Sequence, residues 1–301
     1  VYKRQHKLRI TADWFNNETR TESYWSRTNT SVNVLDLDGE DQQQRERVQL
    51  DYEFANVWPG IHAGLFQLYQ QKSETKQHTN ELRQSGSTPV QTERQREFQF
   101  DQQINGAELT LSSLWAFADT KHTFTYGVEY SRTETEQLRD GRARNLLTGV
   151  VTTVIMPDVF PVRDFPLTTT TEIGLYWQDE IELWDKQWLI VPALRFDRYQ
   201  LNSHNEAIFA EDNPNVSLVD LVHEHASPKL GVLYKANVQH SLFAQYAEGF
   251  RAPLLADVNI GFTNMAFGYT AIPNADLQPE TSQTIDIGWR FRDDWGFTEL
   301  T

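Results

Sequence analysis

The sequence predicts an all-β protein that forms about eleven antiparallel strands of a larger transmembrane β-barrel. Three observations predict this class: apolar and polar residues alternate, short and long connections alternate, and tryptophans gather near the short connections. Of the 301 residues, 39% are hydrophobic and 12% are aromatic, including nine Trp. This pairing is typical of a wall one side chain thick, which meets lipid on one side and water on the other.

Alternation with a period of two residues is the strongest signal. Two segments show it most clearly: Ile173, Leu175 and Trp177 within 171–183, and Ile285, Ile287 and Trp289 within 284–291. Successive side chains of a strand point to opposite faces, so each segment has one apolar and one polar face. Asp179 falls on an apolar row, and we interpret it as lying outside the membrane band, where a charge costs little.

Eleven strands follow from this pattern, and the connections between them alternate in length. The strands are predicted at 6–31, 45–54, 61–74, 94–116, 121–137, 169–183, 187–200, 227–236, 241–249, 280–292 and from 297 onward. Short connections fall near 55–60, 117–121, 184–187, 237–240 and 292–296. Long ones fall near 32–44, 75–93, 138–168, 201–226 and 250–279. This layout indicates an up-and-down barrel with tight periplasmic turns and large extracellular loops.

Tryptophan placement agrees with that layout. Five of the nine lie in or near the short connections: Trp58, Trp115, Trp184, Trp188 and Trp295. Tryptophan favours the membrane–water interface, so the cluster indicates an aromatic girdle. Ordinary hydrophobic packing at a sheet end is the alternative.

The ends of the sequence indicate an incomplete barrel. A closed barrel of even strand number has no open edge, yet Thr301 falls where the last strand begins. We therefore expect residues 1–301 to be part of a barrel domain whose closing strands lie elsewhere. No run of 18 apolar residues marks a transmembrane helix. No signal peptide is visible, and we expect it to have been cleaved or to lie upstream.

Charge and motif content exclude several other functions. The formal net charge of −15 argues against nucleic-acid binding, which needs a basic surface. The sequence contains no Cys, no G-x-S-x-G, no H-E-x-x-H and no Gly-rich phosphate loop. We therefore predict that the protein is not an enzyme.

Several segments resemble the TonB-dependent receptors. The clearest are 246–253 (YAEGFRAP) and 274–282 (NADLQPETS), and 176–181 (YWQDEI) and 192–199 (PALRFDRY) look like middle strands of the same family. The spacing of the first two is similar to the haem and haemoglobin receptor branch, whose hallmark pair reads FRAP and NPNL. The segment 227–231 (SPKLG) fits that branch too.

This resemblance implies a bacterial outer-membrane barrel of about 22 strands with a plug domain in its lumen. The plug, the segment that contacts TonB and the closing strands are not in this sequence. The implied partners are a TonB-type energy-coupling protein, outer-membrane lipid, and a transported haem, haem protein or ferric siderophore. No resident cofactor is required, so haem would be cargo.

The resemblance also suggests ligand-binding residues within and after the first hallmark segment: Phe250, Arg251, Pro253, Tyr269, Asn274 and Leu277. The His that the haem branch usually carries between its hallmark segments is absent from 254–273. Tyr269 is the candidate haem-iron ligand there, because a tyrosinate can ligate haem iron; a packed loop aromatic is the alternative. Arg251 is equally interpreted as a salt-bridge anchor for its loop.

Three histidines in predicted extracellular loops are further candidates for haem or metal ligands: His204, His223 and His225. His223 and His225 lie two residues apart, on one side of an extended segment. A solvated loop pair is the alternative, and no metal site is firmly predicted.

The leading functional hypothesis is energy-coupled uptake of an iron carrier, with haem or a haem protein first. The connections 138–168, 201–226 and 250–279 would face the ligand. A siderophore or another nutrient is the second hypothesis. A passive pore or an outer-membrane barrel enzyme is the third.

Overall fold

A computed structural model of the chain describes residues 4–23, 32–85, 90–264 and 268–301. Its elements, in chain order, are β1 (Gln5–Glu22), β2 (Val32–Trp58), β3 (Ile61–Ser85), β4 (Gln91–Phe117), β5 (Thr120–Asn145), β6 (Val151–Thr152), β7 (Val154–Ile155), β8 (Asp158–Val159), β9 (Leu167–Leu183), β10 (Trp188–His204), α1 (Ala207–Asp212), β11 (Leu221–Lys235), β12 (His240–Arg251), α2 (Leu255–Asn259), β13 (Phe262–Asn264), β14 (Tyr269–Ala271), β15 (Glu280–Arg292) and β16 (Phe297–Leu300). In the described part of the chain, neither helix is long and apolar enough to cross a membrane.

Eleven of these strands form one antiparallel sheet in the order β1-β2-β3-β4-β5-β9-β10-β11-β12-β15-β16, and β6 adds to β5. Each of the eleven pairs with its neighbour along the chain, which is the up-and-down meander of a barrel wall. Within the described residues, β1 and β16 each pair on one side, so the sheet is open between them. The predicted all-β fold of a barrel portion is confirmed.

The strand register gathers the apolar rows onto one side of the sheet, here called the apolar face. It comprises Leu8, Ile10, Val48, Leu50, Leu68, Leu109, Val128, Leu175, Trp177, Leu194, Leu230, Leu242, Ile285 and Ile287. These side chains are not packed into a closed core, because Leu175 is 48% exposed, Ile285 71% and Ile287 69%. The opposite side, here called the inner face, carries charged residues such as Asp51, Glu129 and Asp197.

Buried hydrophobic clusters lie at the long-connection end of the sheet. One consists of Ala143, Ile155, Phe160 and Val162, and the other of Tyr199, Leu201, Leu221 and Val258. Both join a connection to a strand end. Burial of these side chains therefore fixes the long connections to the strand ends, whereas backbone pairing between neighbouring strands holds the sheet together.

Several predicted strand ends are wrong because the first strands are longer than their alternating segments. β2 begins at Val32 rather than 45, β3 continues to Ser85 rather than 74, and β5 continues to Asn145 rather than 137. Most of the predicted connections 32–44 and 75–93 is therefore strand. Polar runs such as 41–47 (DQQQRER) show no alternation where both faces meet water, yet their backbone still pairs with β3. Residues 24–31 of the first predicted strand lie outside the described residues.

The structure shows how Asp179 is accommodated on the apolar row. The residue is 4% exposed, and His122 Nδ1 lies 2.7 Å from its Oδ2. The His122 ring stacks on Phe124, with ring centroids 5.6 Å apart. A charge on the apolar face is thus compensated by a hydrogen-bonded partner and shielded by aromatic rings.

The two faces of β15 are expected to respond differently to the same substitution. Ile287→Arg places a charge on the lipid side and should destabilise the membrane-inserted protein by about 2–4 kcal/mol, as for Arg near the bilayer midplane. Thr284→Arg, on the inner face of the same strand, is the matched control and should have little effect. Reversible unfolding from lipid vesicles measures both; equal losses would contradict the assignment of faces.

Candidate functional site

Three long connections meet at one end of the sheet: 146–166, 205–220 and 252–279. The Gly261 N–H donates to the carbonyl oxygen of Asp164 at 2.7 Å. Arg163 Nε lies 3.0 Å from Glu206 Oε1, and Asn213 Nδ2 donates to the Arg163 carbonyl oxygen at 3.4 Å. These connections, called here the loop cap, correspond to the three predicted to face the ligand, and the structure brings them together.

Asn259 holds the loop cap at its centre. The residue is fully buried, with 0% exposure. Its Nδ2 donates to Ser203 Oγ at 2.8 Å and to the Val219 carbonyl oxygen at 2.7 Å. Its Oδ1 accepts from the Val219 N–H at 2.8 Å. One side chain thus joins the connection 252–279 to the end of β10 and to the connection 205–220.

Two sequence candidates, Asn274 and Leu277, belong to this anchoring. Leu277 packs against the cluster of Tyr199, Leu201, Leu221 and Val258. The Asn274 N–H donates to the Val258 carbonyl oxygen at 3.0 Å, and its side chain accepts from the Asp276 N–H at 2.9 Å. Their contacts in the structure hold the loop in position.

A cavity of about 860 Å³ lies on the inner face beside the loop cap. Phe250, Arg251 and Pro253, three of the predicted ligand-binding residues, line it together. The Arg251 Nη1 atom lies 3.6 Å from Glu280 Oε2, and both side chains are exposed. An exposed pair of this kind contributes little, so the guanidinium keeps donors for an anionic group.

An ion-pair network forms the strand side of the cavity. Arg195 Nη2 lies 2.7 Å from Glu129 Oε2, and its Nε lies 2.8 Å from Asp197 Oδ1. The side chain crosses Gly174, where a Cβ would lie 2.4 Å from Nη2. The sequence analysis missed Arg195, although a Gly at a polar position of a regular strand signals a side chain that crosses from a neighbour.

A second group of arginines lies on the inner face nearer the strand ends. This arginine cluster consists of Arg83, Arg94 and Arg96. Arg83 Nε lies 3.2 Å from Glu81 Oε1, whereas within the described residues neither Arg94 nor Arg96 forms an ion pair. Burial and the nearby charge of Arg83 lower the pKa of Arg94 from its ordinary value. The charge of Glu81 opposes this effect, but Arg94 is in no ion pair among the described residues, and a partly buried cation of this kind favours the approach of an anion.

Aromatic rings accompany the arginine cluster. Arg96, Phe98, Arg139 and Phe160 line a small cavity of about 190 Å³, and Arg139 lies over the Phe160 ring at 5.9 Å. Arginine and aromatic faces together bind planar anionic groups. The sequence analysis missed this cluster because it assigned 75–93 to a loop, where facing residues have no register.

The candidate haem and metal ligands lie in different parts of the structure. His225 stacks on Phe250, with centroids 5.1 Å apart and ring planes 9° apart, and His223 lies two residues before it on β11. Tyr269 is 53% exposed at the start of β14. His204 Nε2 lies 3.0 Å from Thr169 Oγ1, and the β9–β10 register puts it on the side of the apolar face. The structure therefore keeps His204 apart from the other two histidines.

Comparisons with known proteins agree on one fold. A model of the family described as TonB dependent receptor-like, beta-barrel, matches residues 2–301. No curated protein sequence matches the chain. The structure resembles the copper transporter OprC with a TM-score of 0.55 and 14% identity, over 94% of this chain and 44% of that one.

Two other solved structures are similar. BauA, the ferric preacinetobactin receptor from Acinetobacter baumannii, gives a TM-score of 0.51 at 14% identity, over 84% of this chain and 36% of its own. The Serratia marcescens hemophore receptor HasR, in complex with its hemophore HasA and heme, gives a TM-score of 0.50 at 15% identity. The match covers 94% of this chain and 47% of HasR. The chain thus spans less than half the length of each of these three proteins.

Asn259→Ala tests the loop cap. It leaves the Val219 N–H without its side-chain partner and removes one of the two side-chain donors to the Val219 carbonyl oxygen, which should cost about 1–3 kcal/mol locally. We expect amide hydrogen exchange in 252–264 to accelerate while the paired strands β10 and β15 remain protected. Ile272→Ala, at a position 69% exposed in the same connection, is the control and should change little. Equal exchange in both variants would contradict the central role of Asn259.

Proposed function

This chain belongs to the TonB-dependent receptor-like β-barrel family, and we propose that its receptor imports an anionic iron carrier across a bacterial outer membrane. Haem or a haem protein is the first candidate. The energy would come from a TonB-type partner that contacts segments outside this chain. Receptors of this family need no resident cofactor, so haem would be cargo.

The arginine cluster is the observation that carries the proposal. Haem propionates and the oxygen donors of ferric siderophores are anionic, and a guanidinium binds such groups with two parallel hydrogen bonds. Among the described residues, Arg94 and Arg96 form no ion pair and lie on the inner face, and Arg96 lies beside aromatic rings. The chain as a whole carries a net charge of −15, so the arginine cluster is a positively charged area on a mostly negative protein. It would therefore attract an anionic carrier to this part of the inner face.

Haem has additional support from the sequence. The hallmark-like segments of the haem branch frame the loop cap, and Tyr269 lies exposed between them. A tyrosinate there would supply an axial ligand to haem iron. His204 would be a less favourable ligand, because it lies on the side of the apolar face. HasR, whose complex contains heme, is among the similar structures.

A ferric siderophore is the second candidate. The arginine cluster would serve a siderophore equally well, and the similar structure BauA is a receptor for a ferric ligand, ferric preacinetobactin. The family consists of transport receptors, which supports uptake over the passive pore and the barrel enzyme that the sequence analysis left open.

Arg94→Gln tests anion recognition. Removing one charge-assisted contact should weaken carrier binding about tenfold, equivalent to about 1.4 kcal/mol. Arg132→Gln is the control, because Arg132 lies on the other side of the sheet and is paired with Glu134 at 3.0 Å. Isothermal titration of hemin and of a ferric catecholate siderophore into the purified receptor provides the affinities. Equal affinities in the two variants would remove the arginine cluster from the proposal.

A titration with hemin distinguishes haem from a siderophore as the transported carrier. We expect a Soret shift when hemin is titrated into the receptor, and Tyr269→Phe should remove the tyrosinate band and weaken binding about tenfold or more. Tyr234→Phe, a tyrosine packed on Trp188 near a short turn, is the control. The absence of a Soret shift in the unmodified receptor would reject haem and leave the siderophore. A shift unchanged in Tyr269→Phe would reject Tyr269 alone.

A further inference from the structure

Two histidines share the inner face of β11 at the edge of the large cavity. In the β10–β11 register His225 pairs with Asp197 and His223 with Tyr199. Both of those partners line the cavity. His223 and His225 therefore point to the same side as the ion-pair network, as alternate residues of a strand do.

Both imidazoles hold an Nε2 atom out of contact with water. Neither Nε2 atom has a hydrogen-bond partner among the described residues, and both are buried. A buried polar atom without a partner is costly, and native structures rarely leave two such atoms side by side on one strand. Some group absent from the protein chain itself is expected to satisfy them.

The surroundings select the kind of group. Glu129 and Asp197 are paired with Arg195, but further carboxylates, such as Glu172, line the same cavity and outnumber its arginines. This excess of acids attracts cations. A neutral imidazole nitrogen offers a lone pair, which suits divalent copper, nickel or zinc. Stacking on Phe250 fixes the plane of the His225 ring, so one ligand is already oriented.

We propose that His223 and His225 form a binding site for a divalent transition-metal ion on the inner wall. Alternate residues of a strand stand about 6.6–6.8 Å apart. Two imidazoles at that separation can incline toward one ion at about 2.0–2.1 Å from each nitrogen. Two protein ligands leave coordination positions open for water or for donor atoms of a bound molecule.

The site couples the metal to the loop cap. Phe250 stacks on His225 and precedes Arg251 and Pro253, which line the same cavity. A metal ion that orders the His225 ring would also order the end of β12, where the connection 252–279 begins. The site goes beyond iron-carrier uptake and does not depend on which carrier is transported.

Cu²⁺ is the probe of choice, because imidazole sites bind it most tightly among the divalent first-row ions. The experiment uses the whole receptor, without a polyhistidine tag, in detergent micelles. We expect one equivalent of Cu²⁺ to give an electron paramagnetic resonance spectrum with coupling to two imidazole nitrogens.

Substitutions identify the ligands. His223→Gln and His225→Gln should each weaken Cu²⁺ binding at least tenfold, and the double variant should abolish the two-nitrogen signal. His204→Gln is the matched control, because His204 ends the neighbouring strand on the other side of the sheet, and it should bind as the unmodified receptor does. Heat-modifiable migration on a denaturing gel verifies that each variant is folded.

Two results would overturn the site. One is an unmodified receptor whose spectrum lacks coupling to two nitrogens, a measurement that needs no variant to fold. The other is a folded double variant that binds Cu²⁺ with unchanged affinity. Hemin and siderophore titrations of the same double variant distinguish the metal site from the proposed uptake function. A double variant that still binds the carrier but no longer binds Cu²⁺ supports the metal site. If no sample, including the unmodified receptor, binds a carrier, the proposed uptake function is rejected and the metal site is not affected.

Discussion

The backbone of this protein has to satisfy every N–H and C=O group inside a medium that offers no hydrogen bonds. A meander of paired strands does so without a hydrophobic core, and the pairing then dictates where each side chain points. Because alternate residues face opposite sides, one strand can present Ile285 and Ile287 to hydrocarbon and Thr284 and Asp286 to water. The apolar face and the inner face are two consequences of the same constraint.

A wall one residue thick also explains how the inner face is built. Long side chains lie along it and cross glycines of the neighbouring strand: Tyr176 crosses Gly127 to reach Thr110 Oγ1 at 2.6 Å, and Tyr69 covers Gly106. Such contacts place polar groups without a second layer of protein. The candidate sites, with their arginines, acids and histidines, occupy this face because charged side chains are stable there and costly on the other.

The local pattern of apolar and polar residues was sufficient to predict the antiparallel sheet. The alternation of 171–183 and 284–291 identified the strands and their apolar rows, because both depend on a period of two residues, and the alternation of short and long connections indicated the strand order. It failed at 32–44 and 75–93, where strands rise into water on both faces and the sequence loses its alternation. The arginine cluster was missed for that reason, because its member Arg83 lies in 75–93 and its register with Arg94 was not predicted. The partner of Asp179 was not predicted, because His122 lies 57 positions away in the sequence and becomes adjacent only through the β5–β9 register.

Contacts between connections lay beyond sequence reasoning as well. Asn259 joins residues 40 and 56 positions distant, and no periodicity marks such a residue. The candidates Asn274 and Leu277 came from a family resemblance, and the structure gives them anchoring contacts. Phe250, Arg251 and Pro253, from the same resemblance, line the large cavity.

The division of the sheet into a lipid face and a water face can be measured residue by residue. The chain has no native Cys, so single cysteines across 171–183 can carry a spin label in reconstituted bilayers. The account predicts that accessibility to oxygen and to a polar nickel chelate will alternate with a period of two, in opposite phase, with oxygen highest at 173, 175 and 177. Equal accessibility to the two reagents at successive positions, or a period near 3.6, would contradict it.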